Sequence, residues 1–250
     1  MYESPLQKAF SPLSIGDLTL KNRFIKAATY EGMSPDGFPT DDLIDFHTQI
    51  AKGGTALTTV AYGAVHADGR THEDQLLIRD EAMPMLSRLT DGVHQNGGLA
   101  SIQLTHCGFF TRNTSMSSRK PQSASRTFNT YGLMSGLPFS RAMTLDDIDR
   151  STEDFARAAS QVAKAGFDAV EIHMGHGYLL SQFLSPTINK RTDKYGGSLS
   201  YRMRFPLEVL NRVREVLGAE FPILVKMNLS DGFKGGFFND RLPFLGLSSP

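Results

Sequence analysis

The sequence predicts an α/β fold, namely a TIM-type (β/α)8 barrel that is incomplete, with about the first five βα units present. Short apolar strands alternate with longer amphipathic helices, which is typical of βαβ units and a parallel sheet. Polar residues follow nearly every strand, as in barrels whose active residues lie at the carboxyl ends of several strands. An open doubly wound sheet also fits the alternation, but residues 27–33 (AATYEGM) lack its Gly-rich phosphate loop.

Five segments are predicted to be the core strands: residues 24–29, 55–61, 99–104, 169–174 and 223–227. Helices are predicted over residues 40–52, 81–96, 144–165 and 199–217. Thr144 with Asp147 three residues later is a helix-start pattern. A βα unit takes about 30 residues, so three further units do not fit after Met227.

Residues 105–143 are rich in Ser, Thr, Arg, Gly and Pro and show little periodicity. The segment is too long for an ordinary connection, which predicts a functional excursion or lid. We therefore expect residues 1–235 to form the N-terminal part of a barrel that includes this excursion, and residues 236–250 to form an irregular tail.

Composition limits the function classes. Lys plus Arg and Asp plus Glu both number 26, which argues against nucleic acid as a partner. No window approaches 18 consecutive apolar residues, so no membrane span is expected. The N-terminus carries no secretion signal, and the single cysteine, Cys107, permits no internal disulfide. A cytoplasmic location is the default expectation.

Titratable residues crowd the end of the fourth predicted strand. His173 ends an apolar run, and His176 and Tyr178 follow it around two glycines. Titratable side chains are seldom buried in an apolar core, so their clustering here indicates a binding or active site. A structural turn is one alternative. A zinc site with Glu171 or Asp231 as a third ligand is another, and it would make the protein a His-based metal hydrolase.

Residues 171–205 read EIHMGHGYLLSQFLSPTINKRTDKYGGSLSYRMRF. This stretch resembles the signature of the Old Yellow Enzyme family of FMN-dependent ene reductases, EIH-x-x-[HN]-GYLL-x-QFL-x-P-x-x-N-x-RTD-x-YGGS. The blocks LKNRFIKAA, AKGG, SIQLTHCG and ILVKMN agree in order and spacing. The resemblance covers about residues 5–235, and it depends on a long motif with four supporting blocks rather than on a lone HxxH.

The resemblance implies a barrel with FMN across its carboxyl-end mouth, reduced by NAD(P)H, which passes hydride to the activated C=C bond of a small enone-type substrate. By the same resemblance, His173 and His176 bind the substrate's oxygen. Tyr178 is the implied proton donor, although many members tolerate its loss because solvent can supply the proton. No metal is implied.

The resemblance also implies a flavin-binding half of the site. Gln103 would bind the flavin pyrimidine edge, and Lys226, an Arg in many members, would lie near N1 and O2. Backbone positions that would line the flavin are Ala27, Ala28 and Tyr62. Tyr30 stands where other members have a Thr or Cys that tunes the flavin.

The family binds the FMN phosphate after its seventh and eighth strands, which this sequence does not contain. We therefore expect a truncated version of a longer enzyme, or a segment completed by another chain, with its first and fifth strands as open edges. A non-catalytic remnant of the family is the alternative. A homo-oligomer is compatible with either.

Overall fold

The computed structural model describes residues 5–118, 120–232 and 234–237. The helices are α1 (Pro5–Phe10), α2 (Asp41–Lys52), α3 (Met83–Gln95), α4 (Leu145–Lys164), α5 (Leu179–Leu184), α6 (Leu199–Arg202) and α7 (Arg204–Leu217). The strands are β1 (Leu13–Ile15), β2 (Leu18–Leu20), β3 (Ile25–Lys26), β4 (Leu57–Ala64), β5 (Leu99–Thr105), β6 (Gln122–Ser123), β7 (Arg141–Ala142), β8 (Ala169–Met174) and β9 (Ile223–Met227).

Across the described residues, the main sheet has five parallel strands in the order β3-β4-β5-β8-β9. At least one helix lies between each strand and the next in the sheet, which confirms the predicted α/β fold. Strands β3 and β9 are the edges, as expected for part of a barrel. The side chain of Lys226 on β9 nevertheless reaches the Ala28 carbonyl just after β3, at 3.2 Å, so the sheet curls until its two edges approach each other.

The first core strand is shorter than predicted. Residues 24–29 were expected to be extended in the sheet, but only Ile25 and Lys26 pair with β4. Phe24 and Ile25 are 44% and 43% exposed, because β3 has one neighbour and little covers it. The residues after Lys26 leave the sheet as an irregular loop. Conversely, β4 extends to Ala64, with a register shift between Val60 and Gly63.

The two faces of the sheet differ in polarity. Alternate residues of the central strands, such as Ile102 and Ile172, pack with Phe155 of α4 in the main apolar core, as the period of two requires. Ser101 lies between Ala100 and Ile102 of this core and therefore faces the other way. Its hydroxyl is hydrogen-bonded to the Thr59 hydroxyl at 2.7 Å. Polar residues of β4, β5, β8 and β9, among them Thr59, Gln103, His173 and Lys226, therefore share the inner face of the curled sheet.

A short hairpin closes the amino end of this inner face. Strands β1 and β2 pair antiparallel. Leu20 of the hairpin packs with Leu57, Leu99 and Leu224 in a second apolar cluster. The inner face is thus apolar at one end, and its polar residues lie toward the carboxyl ends of the strands.

The predicted start of α4 is confirmed. The Thr144 hydroxyl accepts from the Asp147 N–H at 3.1 Å, and the Asp147 carboxylate accepts from the Thr144 N–H at 2.8 Å. This capping box satisfies two of the N–H groups that a helix start leaves unpaired.

Residues 105–143 contain the small parallel pair β6–β7 and little other regular structure. The guanidinium of Arg191 donates to the carbonyls of Ala124 and Met143, at 3.1 and 2.6 Å, and so joins this segment to the loop before α6. A lid role for the segment stays a prediction. The predicted domain boundary near residue 235 also stays a prediction, because residues 238–250 of the tail lie outside the described residues.

Within the described ranges, no helix combines the length and apolar character that a membrane crossing needs.

Candidate active site at the carboxyl ends of the strands

The turn that follows β8 has a demanding backbone. The N–H of Tyr178 donates to the Gly175 carbonyl at 3.1 Å, and the two residues between them, His176 and Gly177, have φ of 56° and 74°. Positive φ at both central positions is the pattern of a type I′ turn, and it is uncommon for a residue with a Cβ. The side-chain oxygen of Asn228 accepts from the His176 N–H at 3.2 Å and holds it there.

A buried glutamine fixes the same turn from the other side. Gln182 is fully buried, and its amide nitrogen donates to the carbonyls of Gly177 and Cys107, at 2.6 and 3.0 Å. The N–H of Leu179 donates to the His106 carbonyl at 2.9 Å. The turn is therefore tied to the loop after β5, so that two strand ends form one rigid surface.

The turn brings His173 and His176 together, as the sequence predicts. Their nearest ring nitrogens, Nε2 of His173 and Nδ1 of His176, are 3.1 Å apart. The Gly175 N–H donates to Nδ1 of His173 at 3.1 Å, so the proton of a neutral His173 is on Nε2 and points at His176. His176 then accepts at Nδ1 and carries its own proton on Nε2, at the exposed side of the pair.

The buried member of the pair is held neutral. Burial, assisted by the charges of His176 and Lys226, lowers the pKa of His173 to about 3. His173 therefore donates a hydrogen bond as a neutral imidazole at neutral pH. The coupling to Lys226 also indicates that the cation and the histidine pair share one site.

Tyr178 joins the pair, again as predicted. Its side chain is 9% exposed, and its ring centroid lies 4.8 Å from that of His173 and 6.0 Å from that of Tyr62. Burial raises the pKa of the Tyr178 hydroxyl, and the neighbouring Tyr62 raises it further. The phenol keeps its proton at neutral pH and can donate it to a reacting group.

Gln103 lies on the inner face of β5, next to Glu171 of β8 in the strand register. It is 2% exposed, and its amide nitrogen donates to the Glu171 carboxylate at 2.5 Å. A carboxylate only accepts, so this bond fixes which end of the amide is nitrogen. One N–H and the carbonyl oxygen of Gln103 stay available within the described part of the chain.

Lys226 is the neighbour of His173 across β8 and β9. Its ammonium donates to the Ala28 carbonyl at 3.2 Å and is half-buried. The inner face therefore carries a fixed amide on β5, the neutral His173 on β8 and a cation on β9, with His176 in the turn after β8.

The loop after β3 supplies the remaining predicted positions. Ala27 and Tyr30 are exposed and Ala28 is half-buried. The ring of Tyr30 lies 5.3 Å from that of the half-buried Tyr62, so these two aromatic residues face each other at the mouth. Burial raises the pKa of both hydroxyls.

Several residues of this surface were missed at the level of sequence. The Glu31 carboxylate holds the β3 loop, because it accepts from the Lys26 ammonium at 2.6 Å and from the Ala61 N–H at 3.2 Å. Phe110 and Tyr131 stack at 4.6 Å, and Phe110 lies 6.0 Å from Tyr178. The only available signal for the last two was their position in the predicted excursion.

The zinc alternative gains no support from the geometry. The described residues contain no group of three or more His, Cys, Asp and Glu side chains that could hold a metal ion. Of the two candidate third ligands, Glu171 accepts from Gln103, and Asp231 accepts from the Ser185 hydroxyl at 2.6 Å.

Comparison with known proteins identifies the family. Residues 8–239 match the model of the "NADH:flavin oxidoreductase / NADH oxidase family". The chain belongs to this family. Old Yellow Enzymes are among its structural neighbours, so the expected membership is confirmed. FMN is the cofactor of this family, and NAD(P)H is its reductant.

Two relatives illustrate the range of activities. The chain is 43% identical over 242 residues to "4,4'-dithiodibutanoate disulfide reductase" of Rhodococcus erythropolis, a match that spans 96% of this chain and 59% of the relative. It is 36% identical over 243 residues to "NADPH dehydrogenase" of Listeria monocytogenes, which spans 96% and 69% of the two chains. The chain thus spans about three-fifths of the first relative's length.

Solved structures support the incomplete barrel. An Old Yellow Enzyme from Pichia sp. AKU4542 superposes with a TM-score of 0.84 and 30% identity, over 92% of this chain and 61% of the other. Morphinone reductase in complex with tetrahydroNAD superposes with a TM-score of 0.83 and 28% identity, over 93% and 67%. The described residues therefore form part of a barrel that is larger in these neighbours.

The buried histidines predict a specific loss of stability in acid. Burial lowers the pKa of His106, which is 4% exposed, to about 4. The unfolded chain, with a histidine pKa near 6.5, binds more protons below that pH, so stability should fall as the pH drops from 6.5 toward 4. His106 alone should lower the free energy of unfolding by about 3 kcal/mol over that interval. Urea unfolding at several pH values measures this.

His106→Asn should remove much of that pH dependence, while Gln95→Leu, at an exposed position on α3, should leave it unchanged. An equal pH dependence in His106→Asn and the unaltered protein would contradict the assignment.

Proposed function

We propose that the protein is an FMN-dependent oxidoreductase that uses NAD(P)H to reduce the flavin and passes hydride to the activated C=C bond of an enone-type substrate. The observation that carries the proposal is the contact between the neutral His173 and His176, beside a protonated Tyr178 and next to Lys226 on the same inner face. Because the chain spans 59% of its 43%-identical relative, the activity of the whole protein is part of the proposal.

The donor set of the inner face fits a flavin. When bound, FMN would supply hydride transfer, which the protein's own side chains cannot perform. Gln103 offers a donor and an acceptor on one oriented amide, and the N3–H and carbonyl edge of a flavin needs that combination. Lys226 would place a cation beside N1 and O2, where reduced flavin is negative. Ala27, Ala28, Tyr30 and Tyr62 would line the ring.

The histidine pair would bind the substrate's carbonyl oxygen. In the structure the Nε2–H of His173 donates to Nδ1 of His176, so substrate binding would displace His176 from that bond. An N–H of each ring would then donate to the substrate oxygen and stabilise the negative charge that develops there as the alkene is reduced. Tyr178 would then give its proton to the α-carbon and recover one from solvent. We also propose a reducing, cytoplasmic setting, because the sequence has one cysteine and therefore no internal disulfide.

Disulfide reduction is a second candidate, favoured by the relative whose name is a disulfide reductase. In that reaction the S–S bond breaks, two electrons from NAD(P)H arrive through the flavin, and two protons complete two thiols. Tyr178 would protonate one leaving sulfur and solvent the other. The same site could therefore act on enones or on disulfides, and turnover measurements with each compound distinguish the two candidates.

The flavin-binding role of Gln103 can be tested by titration. Gln103→Leu should raise the Kd for FMN about 30-fold, because two hydrogen bonds of about 1 kcal/mol each are lost. Quenching of FMN fluorescence measures the Kd, and Gln95→Leu, at an exposed site on α3, is the matched control. An unchanged Kd in a Gln103→Leu variant that keeps its urea midpoint would refute the role.

The substrate role of the pair can be tested by turnover. His173→Asn should lower kcat/KM for 2-cyclohexenone about 100-fold, because donors to a developing oxyanion contribute on that scale. His94→Asn should retain the full rate. Comparison of 2-cyclohexenone with 4,4'-dithiodibutanoate separates the two candidates, and no FMN-dependent turnover of either would leave the non-catalytic remnant as the better account.

A further inference from the structure

Arg112 is an exposed residue on a firmly held backbone. Its neighbours Thr111 and Asn113 are 0% and 1% exposed. The Arg112 N–H donates to the Thr71 carbonyl at 2.9 Å, and the Thr111 hydroxyl donates to the Arg70 carbonyl at 2.7 Å. The side chain of Arg112 therefore projects from a fixed point in the segment that the sequence predicts to be a functional excursion or lid.

The guanidinium of Arg112 has no counter-ion among the described residues. Within the described part of the chain, no carboxylate lies within 4.0 Å of it. The nearby Asp74 carboxylate instead accepts from the Asp36 N–H at 3.2 Å. Most exposed arginines are simply solvated, so a ligand-binding role for Arg112 has to be argued from the residues around it.

Those surroundings are the wall of the candidate active site. The guanidinium carbon of Arg112 lies 5.5 Å from the ring centroid of Tyr131, which stacks on Phe110, and Phe110 in turn lies 6.0 Å from Tyr178. The positive charge also reaches the opposite side of the mouth. Burial raises the pKa of Tyr30 and Asp74 adds to the rise, while Arg112 opposes both.

We propose that Arg112 binds a carboxylate of the substrate, so that the site takes acidic compounds whose apolar chain lies along Phe110 and Tyr131 and whose reducible group reaches the His173–His176 pair. A planar guanidinium offers two parallel N–H donors that match a carboxylate. The reducible group in this proposal rests on the proposed function, whereas the preference for acidic ligands can be measured without turnover.

The acidic substrate class agrees with one comparison. The 43%-identical relative is named for 4,4'-dithiodibutanoate, which has a carboxylate at each end of a flexible chain and its S–S bond in the middle. One terminal carboxylate on Arg112 would leave the rest of such a chain free to extend along the aromatic wall toward Tyr178.

The test is calorimetric binding of 4,4'-dithiodibutanoate and of its uncharged dimethyl ester to the FMN-loaded protein without NAD(P)H, so that no turnover occurs. The acid should bind at least about tenfold tighter than the ester, which corresponds to about 1.4 kcal/mol. Added salt should reduce that ratio, because a screened ion pair weakens.

Arg112→Gln should bring the acid-to-ester ratio close to one, and Arg112→Lys should keep part of it. Arg126→Gln is the matched control, since Arg126 is an exposed arginine of the same segment that lies over Phe139 at 5.0 Å; it should keep the full ratio. The proposal is overturned if Arg112→Gln keeps the preference, if it weakens acid and ester equally, or if the unaltered protein shows no preference. Loss of turnover with an intact preference would count against the proposed function alone.

Discussion

The tight turn from Gly175 to Tyr178 is the constraint on which the candidate site depends. Its backbone requires positive φ at His176, which a residue with a side chain adopts only when its surroundings impose it. Asn228, just after β9, and Gln182, on α5, hold the backbone in this conformation through hydrogen bonds to the turn. If the turn relaxed, Nε2 of His173 would lose its partner and the pair would no longer face one substrate atom.

The register of the parallel sheet brings together polar residues that lie far apart in the sequence. Residues of alternate parity on β5, β8 and β9 face inward, and strand register then sets Gln103 beside Glu171 and His173 beside Lys226. The apolar residues between them face the helices. One surface thus combines a buried core on its outer side with oriented polar groups on its inner side, near the carboxyl ends where barrels carry their sites.

Much of this arrangement could be predicted from sequence. The short apolar runs located the strands, the Thr144–Asp147 pattern located α4, and the motif around His173 indicated its partners. The prediction was wrong for residues 27–29, because an edge strand with one neighbour has little to keep it extended. Glu31, Glu171 and Arg112 were not assigned these roles, since their partners lie 30 or more residues away or are defined only by rings from other segments.

The most direct test of the account is a crystal structure of the protein with FMN and 4-hydroxybenzaldehyde. The account predicts that the amide of Gln103 and the ammonium of Lys226 contact the flavin's pyrimidine edge. It also predicts that one oxygen of the aldehyde lies within about 3.2 Å of a ring nitrogen of each of His173 and His176. A flavin bound away from Gln103 and Lys226, or a ligand that contacts neither histidine, would contradict it.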